Sequence, residues 1–442
     1  RTAVVDERGE VLSLARSTHL PQDQDRIDAA RWWQAVEACM LLQVSALKES
    51  GRRGTEISRI AVDGTSGSMV LCDAGLRPVG RALMYDSGGF ETESAQIDMH
   101  APKSHIARGP NSALARAMRL VEEDTDGLAR HLLHQADFIA ARLTGRGGHS
   151  DHNNALKTGL DPATGTWPDW IGNVIDTALL PLAHAAGTPV SEIEPDFANR
   201  IGLASSAVVC AGTTDSIAAF LAAAPPKTGT AVTSLGSTLA IKVLSRKRID
   251  DPEIGLYSHR LGDAWLVGGA SNSGGAVLAH FFSSEDIDQL SARIDVTTPS
   301  GLDYYPLIHA GERFPVNDPN LAPRVAPRPA DDAIFLQGLL EGIARIEAQC
   351  YSEIEARGGR FPDAIYSAGG GARNPAFTEI RAMTLGIVPT RAESVEAAIG
   401  AARIAAGMSR NPGNSVPNSW TCHDPGSTHF LMLADDSPFN GR

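Results

Sequence analysis

AGTTDSIAAFLAAA (residues 211–224) and GTAVTSLGSTLAIKV (residues 229–243) decide how this chain reads. In the first, Gly212-Thr213-Thr214 leads into an apolar helical run over 217–224, which sets Asp215 at or just before a helix N-terminus. A carboxylate there can cap free N–H groups, and it can also be held beside an anionic ligand bound by them. In the second, Ala231, Val232 and residues 239–243 read as two strands around Ser234-Leu235-Gly236-Ser237-Thr238. Such a turn has the small residues and hydroxyls that let backbone approach a phosphate. Far downstream, the strand 365–368 runs into Gly369-Gly370-Gly371-Ala372-Arg373-Asn374-Pro375, followed by the helix FTEIRAMTLG and a short strand over 388–390. A strand, a triple-glycine turn and a helix make a place where a flat base or ribose lies against bare backbone.

Composition bounds the alternatives. The chain has 442 residues, enough for two to three domains. Its 43% hydrophobic and 21% charged content is that of a soluble globular protein. A net charge of −13 argues against nucleic acid or an anionic membrane as the main partner. ATP stays open, because local N–H groups and a metal can hold phosphates. Lysine occurs at six positions, the last being Lys247, and no glycine-rich loop ends in Gly-Lys-Ser/Thr, so a P-loop site is not expected. Cys39, Cys72, Cys210, Cys350 and Cys422 are odd in number and scattered, which excludes a full disulfide framework and favours a reducing, cytoplasmic compartment. His131, His134, His149 and His152 look like a cluster, but without Cys or HExxH company they read as solvated helix and loop histidines rather than a zinc site. No apolar run reaches the roughly 18 residues that span a bilayer, and no secretory signal is visible.

Strands alternate with helices along the chain, which places it in the α/β class. A hairpin opens it, residues 2–5 and 11–14 around Asp6-Glu7-Arg8-Gly9, and a similar pattern recurs at 68–72 and near Val79. Helices are expected over 28–47 and 128–143, and a strand over 57–62 runs into Asp63-Gly64-Thr65-Ser66-Gly67. The same grammar repeats after a boundary placed near residue 205, giving domains over 1–205 and 206–410. The proline-rich stretch 315–332 reads as a surface connection, and 411–442 reads as an irregular tail.

Taken together and in this order, these segments resemble the FGGY carbohydrate kinases of the actin-like ATPase superfamily, over roughly residues 1 to 407. The resemblance implies two ribonuclease-H-like α/β domains flanking a deep cleft, with sugar on the first, nucleotide on the second, and closure bringing them together. It implies that Asp215, in the place of the family's Gly-Thr-x-Asp segment, is the catalytic base, against the plain reading of an N-cap. It assigns ATP to Ser234, Gly236, Ser237 and Thr238 and to Gly369, Gly370, Gly371, Ala372 and Asn374. Mg²⁺ bridges the phosphates and reaches Asp215 through water. Residues 268–275, small and flexible, read as support for the interdomain region.

Substrate candidates lie in the first half. Ser66 follows a strand, and Asp86 stands where many family members carry Trp-x-Asp-x-Arg, although only the Asp survives here and no arginine follows. Asp86 reads equally as a turn cap. Asp151 and Asn154, within 150–161 and ahead of Trp167-Pro168-Asp169-Trp170, suit polyol hydroxyls, or belong to a solvated loop. That segment is similar to one in the cyanobacterial and plant-type D-ribulose kinases, which points to D-ribulose phosphorylated at a terminal hydroxyl. Xylulose or another polyol, or a catalytically weak nucleotide- and sugar-binding sensor, are the alternatives. The family's usual Asp-Phe-Gly-Thr-Ser-Gly element is expected just ahead of Arg1-Thr2-Ala3-Val4-Val5, so either a trimmed N-terminus or a lost first phosphate loop fits.

Overall fold

The structure is a computed structural model that describes residues 1–18, 26–103, 105–109, 111–408 and 429–433. It contains two compact units. The first comprises Arg1–Ala222, His259–Asp263 and the described residues from Glu396 on, and the second comprises Ala223–Ser258 and Ala264–Val395. This division falls after residue 222 rather than near 205, because the helix that follows Asp215 packs on the first unit's own elements. Gly400, in the helix Ala397–Ala405, makes that packing possible: a Cβ there would sit 1.7 Å from the Ala218 carbonyl oxygen. Arg403 of the same helix donates to the Leu221 carbonyl at 2.7 Å, closing the last turn of Asp215–Ala223.

The first unit is built on a sheet ordered Pro189–Glu192, Val208–Cys210, Ile57–Gly64, His429–Leu433, Thr2–Val5, Val11–Ala15, with Thr213–Thr214 pairing further along Ile57–Gly64. The helix Ala30–Glu49 buries Trp32, Cys39, Met40, Gln43 and Leu47 along one face, and the unit's core adds Val4, Ile60, Val62, Phe138 and Leu143. Two expectations are corrected here. Residues 411–442 are not wholly irregular: His429–Leu433 is an inner strand, antiparallel to Thr2–Val5 and parallel to Ile57–Gly64. Five residues after a long aperiodic stretch carry too little pattern to be read as a strand. The helix expected over 128–143 begins only at Gln135, since His131–His134 is a strand antiparallel to Met69–Cys72. Leucines at 128, 132 and 133 fit helical spacing, but pairing with a distant strand overrides it.

In the second unit the strands Ala264–Ser271, Leu239–Ser245, Thr230–Leu235, Ala364–Ala368 and Thr390–Arg391 lie side by side in that order. Thr230–Leu235 and Ala364–Ala368 are parallel, in the register Thr233 to Ser367 and Ser234 to Ala368. Against them pack Pro375–Leu385 and the 25-residue helix Asp332–Ala356, which buries Phe335, Leu336, Leu339, Leu340 and Ile343. That long helix begins at the end of the proline-rich stretch, which itself holds no helix or longer strand among the described residues. No described helix is long and apolar enough to cross a membrane.

Candidate functional site

In the first unit, four of the segments singled out from sequence are tied to one another. Thr213–Thr214 runs parallel to Asp63–Gly64, so the next residues on each strand, Asp215 and Thr65, emerge at the same sheet end. Asp215 opens the helix Asp215–Ala223, is half-buried, and accepts the Ser216 N–H at 2.5 Å. The turn after Asp63–Gly64 is locked from behind: Gln135 Oε1 accepts the Thr65 N–H at 2.7 Å, and the Thr65 hydroxyl lies 2.7 Å from that of Ser68. Ser68 Oγ in turn accepts the Tyr85 N–H at 3.0 Å, which brings in the Asp86 segment.

Arg116 braces the same two turns. Its buried guanidinium donates to the carbonyls of Gly67, Tyr85, Ser87 and Asn111. Burial pulls its pKa down to about 10 while Asp86 nearby opposes the fall. Asp86 itself is exposed. Sequence reading missed Arg116; an arginine on the apolar stripe of the helix Ala113–Glu123, beside Ala113, Ala117 and Leu120, is the signal that could have found it.

Asp151 and Asn154 come from the third segment. Asp151, fully buried, caps the helix His152–Thr158 by accepting the N–H groups of Asn153 at 2.8 Å and Asn154 at 3.1 Å, and the Asn154 amide at 2.6 Å. Asn153, which sequence reading passed over, donates to the Thr213 hydroxyl at 3.0 Å and so fastens this helix to the strand ahead of Asp215. Beneath it, buried His134 bridges Asp137 and Thr158 at 2.7 Å each, so it is not the solvated histidine expected. Among the described residues, no group of three or more His, Cys, Asp or Glu could hold a metal. Two of the substrate candidates carry buried polar atoms with no protein partner, Ser66 Oγ and Asn154 Oδ1.

Burial, and then the charge of Asp137, push the Asp151 carboxyl from 3.8 to about 6. The folded state therefore holds this proton more tightly than the unfolded chain. Its contribution to stability is fully present below about pH 4 and is lost as pH rises through 6, a total loss of roughly 3 kcal/mol. Urea unfolding of wild type and Asp151→Asn should accordingly show a stability difference that shifts toward the variant between pH 4 and pH 8. A difference constant over that range would mean that Asp151 ionises normally.

In the second unit two backbone loops lie side by side. Leu235 pairs with Leu239, leaving Gly236-Ser237-Thr238 as the turn and placing Ser234 in the strand rather than the loop. Gly369, at φ +84°, passes so close that a Cβ would meet the Leu235 carbonyl oxygen at 2.7 Å. At Gly370, by contrast, a Cβ would approach only Arg373, at 3.9 Å, leaving open space over that peptide. Ala372 is buried, and Asn374 caps the helix Pro375–Leu385 by accepting the Phe377 N–H at 3.0 Å while its amide donates to Ser291 at 2.8 Å. The 268–275 stretch ends as a wall of the first loop: Gly275 and Ala276 donate to the Gly236 and Ser237 carbonyls at 2.8 and 3.0 Å.

Residues 231–409 match the FGGY family of carbohydrate kinases, C-terminal domain. The chain is 23% identical over 449 residues to xylulose kinase of Escherichia coli (strain K12), covering 94% of this chain and 89% of that protein. The second unit thus resembles the C-terminal domain of the FGGY carbohydrate kinases, and the likeness to a xylulose kinase extends over most of the chain. Among solved structures, xylulose kinase from Rhodospirillum rubrum superposes with a TM-score of 0.78 at 22% identity, covering 92% of this chain and 89% of its own. Plasmodium falciparum glycerol kinase with ADP gives 0.73 at 14% identity, over 90% and 84%. Both show the FGGY-kinase fold, two actin-like ATPase domains of mixed α and β structure.

Proposed function

We propose that this FGGY-type kinase transfers the γ-phosphoryl group of ATP to a terminal hydroxyl of a small ketose. The observation that carries the reading is the pairing that sets Asp215 and the Thr65-Ser66 turn at one sheet end, with the Asp151–Asn154 segment fastened to the same strand through Asn153 and Thr213. A ketopentose offers hydroxyls that the serine, carboxylate and amide groups of those segments can bind. Asp215 accepts the proton of the attacking hydroxyl, the oxygen bonds to phosphorus, and the bond to the β-phosphate oxygen breaks to release ADP. The nucleotide lies on the second unit, its phosphates on the N–H groups of Gly236-Ser237-Thr238 and its adenosine over Gly369-Gly370-Gly371, with Ala372 and Asn374 fixing the turn. Mg²⁺ would be held mainly by the phosphates, with Asp215 as the protein group to reach it through water, and would neutralise phosphate charge.

The relatives that carry a name favour D-xylulose. D-ribulose is the second reading, supported by the similarity of segment 150–161 to one in the D-ribulose kinases. Coupled ADP-release assays with D-xylulose, D-ribulose, glycerol and gluconate decide between them. The ketose with the highest kcat/KM names the substrate, and turnover of none of the four removes ketose phosphorylation from the chain.

A further inference from the structure

Beneath the two loops of the second unit lies a charged network with no access to solvent. Arg381, on Pro375–Leu385, is fully buried, as is Glu347 on Asp332–Ala356. The guanidinium grips the carboxylate with two parallel bonds, Nε to Oε2 at 2.6 Å and Nη2 to Oε1 at 2.7 Å. Its remaining nitrogen, Nη1, donates to the Ser367 hydroxyl at 2.7 Å. Glu347 Oε1 also accepts the Thr233 hydroxyl at 2.5 Å, and Thr233 Oγ1 lies 2.6 Å from the Tyr351 hydroxyl, one helical turn beyond Glu347. Because the Thr233 hydroxyl donates to the carboxylate, its oxygen accepts the Tyr351 O–H.

The placement of the two hydroxyls is specific. Thr233 and Ser367 are register partners on neighbouring parallel strands. One residue beyond Thr233 is Ser234, and three beyond it is Gly236; two beyond Ser367 is Gly369. Side chains alternate along a strand, so the pair that faces the helices immediately precedes the backbone that forms the loops. A buried ion pair adds little net stability over apolar residues of the same volume, because desolvation offsets its Coulomb attraction. What it adds is direction: each bond is satisfied at one strand register and at one height of strand over helix.

We propose that Arg381, Glu347, Thr233 and Ser367 are positioning residues for nucleotide, holding Gly236-Ser237-Thr238 and Gly369-Gly370-Gly371 at the separation a nucleotide requires. This rests on the reading above that those loops bind ATP. Thr233→Val keeps the shape of the side chain and removes its bonds to Glu347 and Tyr351, and Thr233→Ser restores the hydroxyl. The measurements are calorimetric titration with ADP in the presence of Mg²⁺, KM for ATP and for the ketose, and the thermal midpoint. Thr233→Val should weaken ADP binding and raise the ATP KM about tenfold, the size of one hydrogen bond to a charged group. The ketose KM should stay unchanged, and Thr233→Ser should return nucleotide affinity toward wild type. Ser367→Ala, which cuts the tie to the other strand, should give the same split, and it stands in should Thr233→Val fail to fold. Wild-type ADP affinity in both variants, or an equal loss for both substrates, overturns the positioning role while leaving the loop assignment intact. A wild-type chain that binds no ADP overturns the loop assignment, and this proposal with it.

Discussion

Asp215→Asn is expected to lower phosphoryl transfer by roughly 10²–10⁴ while leaving ketose affinity within a few-fold of wild type. The amide keeps the size of the side chain and can still accept the Ser216 N–H, so the start of the helix Asp215–Ala223 should survive. What it cannot do is take a proton. What makes the carboxylate a candidate base is its place, half-buried at the head of the helix and at the same sheet end as the turn after Asp63–Gly64. A cap alone would behave differently: Asn caps about as well as Asp, so the substitution would then cost nothing in rate. Steady-state kinetics with the ketose identified from the substrate panel, alongside ketose titration by calorimetry, separates the two roles. Turnover within threefold of wild type would leave Asp215 as a helix cap and nothing more.

The elements legible in the sequence are those whose backbone admits only one residue type or whose period is long. Glycine at 369 is required by a positive φ and by a neighbour's backbone, and such positions announce themselves. The helix start at Asp215 was legible because small residues precede it and an apolar run follows. The fold class followed from the alternation of strands and helices, and the solved structures bear it out. The supporting residues were not legible, because each acts across a distance no local pattern encodes. Asn153 meets Thr213 sixty positions away, Gln135 meets Thr65 seventy away, and Thr233 meets Glu347 and Tyr351 more than a hundred away. The strand His429–Leu433 belongs with these: its place between Thr2–Val5 and Ile57–Gly64 is decided by partners at the other end of the chain. The substrate segment at Asp86 shows the same limit. No arginine follows it in sequence, yet Arg116 is brought to its backbone from a helix thirty residues on.

Gly212→Ala should be the most damaging single methyl group in the first unit's site. Gly212 joins Val208–Cys210 to Thr213–Thr214, and both strands run parallel to Ile57–Gly64. An added Cβ would stand 1.8 Å from the Val62 carbonyl oxygen and 2.9 Å from its carbon. Both atoms are backbone in an inner strand, so neither can turn aside as a side chain would. Relief must come from Thr213–Thr214 lifting off Asp63–Gly64, which strains the Asn153 bond to Thr213 and carries Asp215 with it. Overpacking of this kind typically costs about 1–3 kcal/mol of stability. The larger effect is on rate, since displacing a reacting group by about 1 Å can cost on the order of 10²-fold. Gly370→Ala is the control, because its Cβ meets nothing closer than Arg373 at 3.9 Å. Thermal unfolding and kcat for both variants make the comparison. Gly212→Ala should unfold at lower temperature and turn over far more slowly, whereas Gly370→Ala should keep its stability. A folded Gly212→Ala enzyme with wild-type kcat would mean that the close pairing of Thr213–Thr214 with Asp63–Gly64 does not set the position of Asp215.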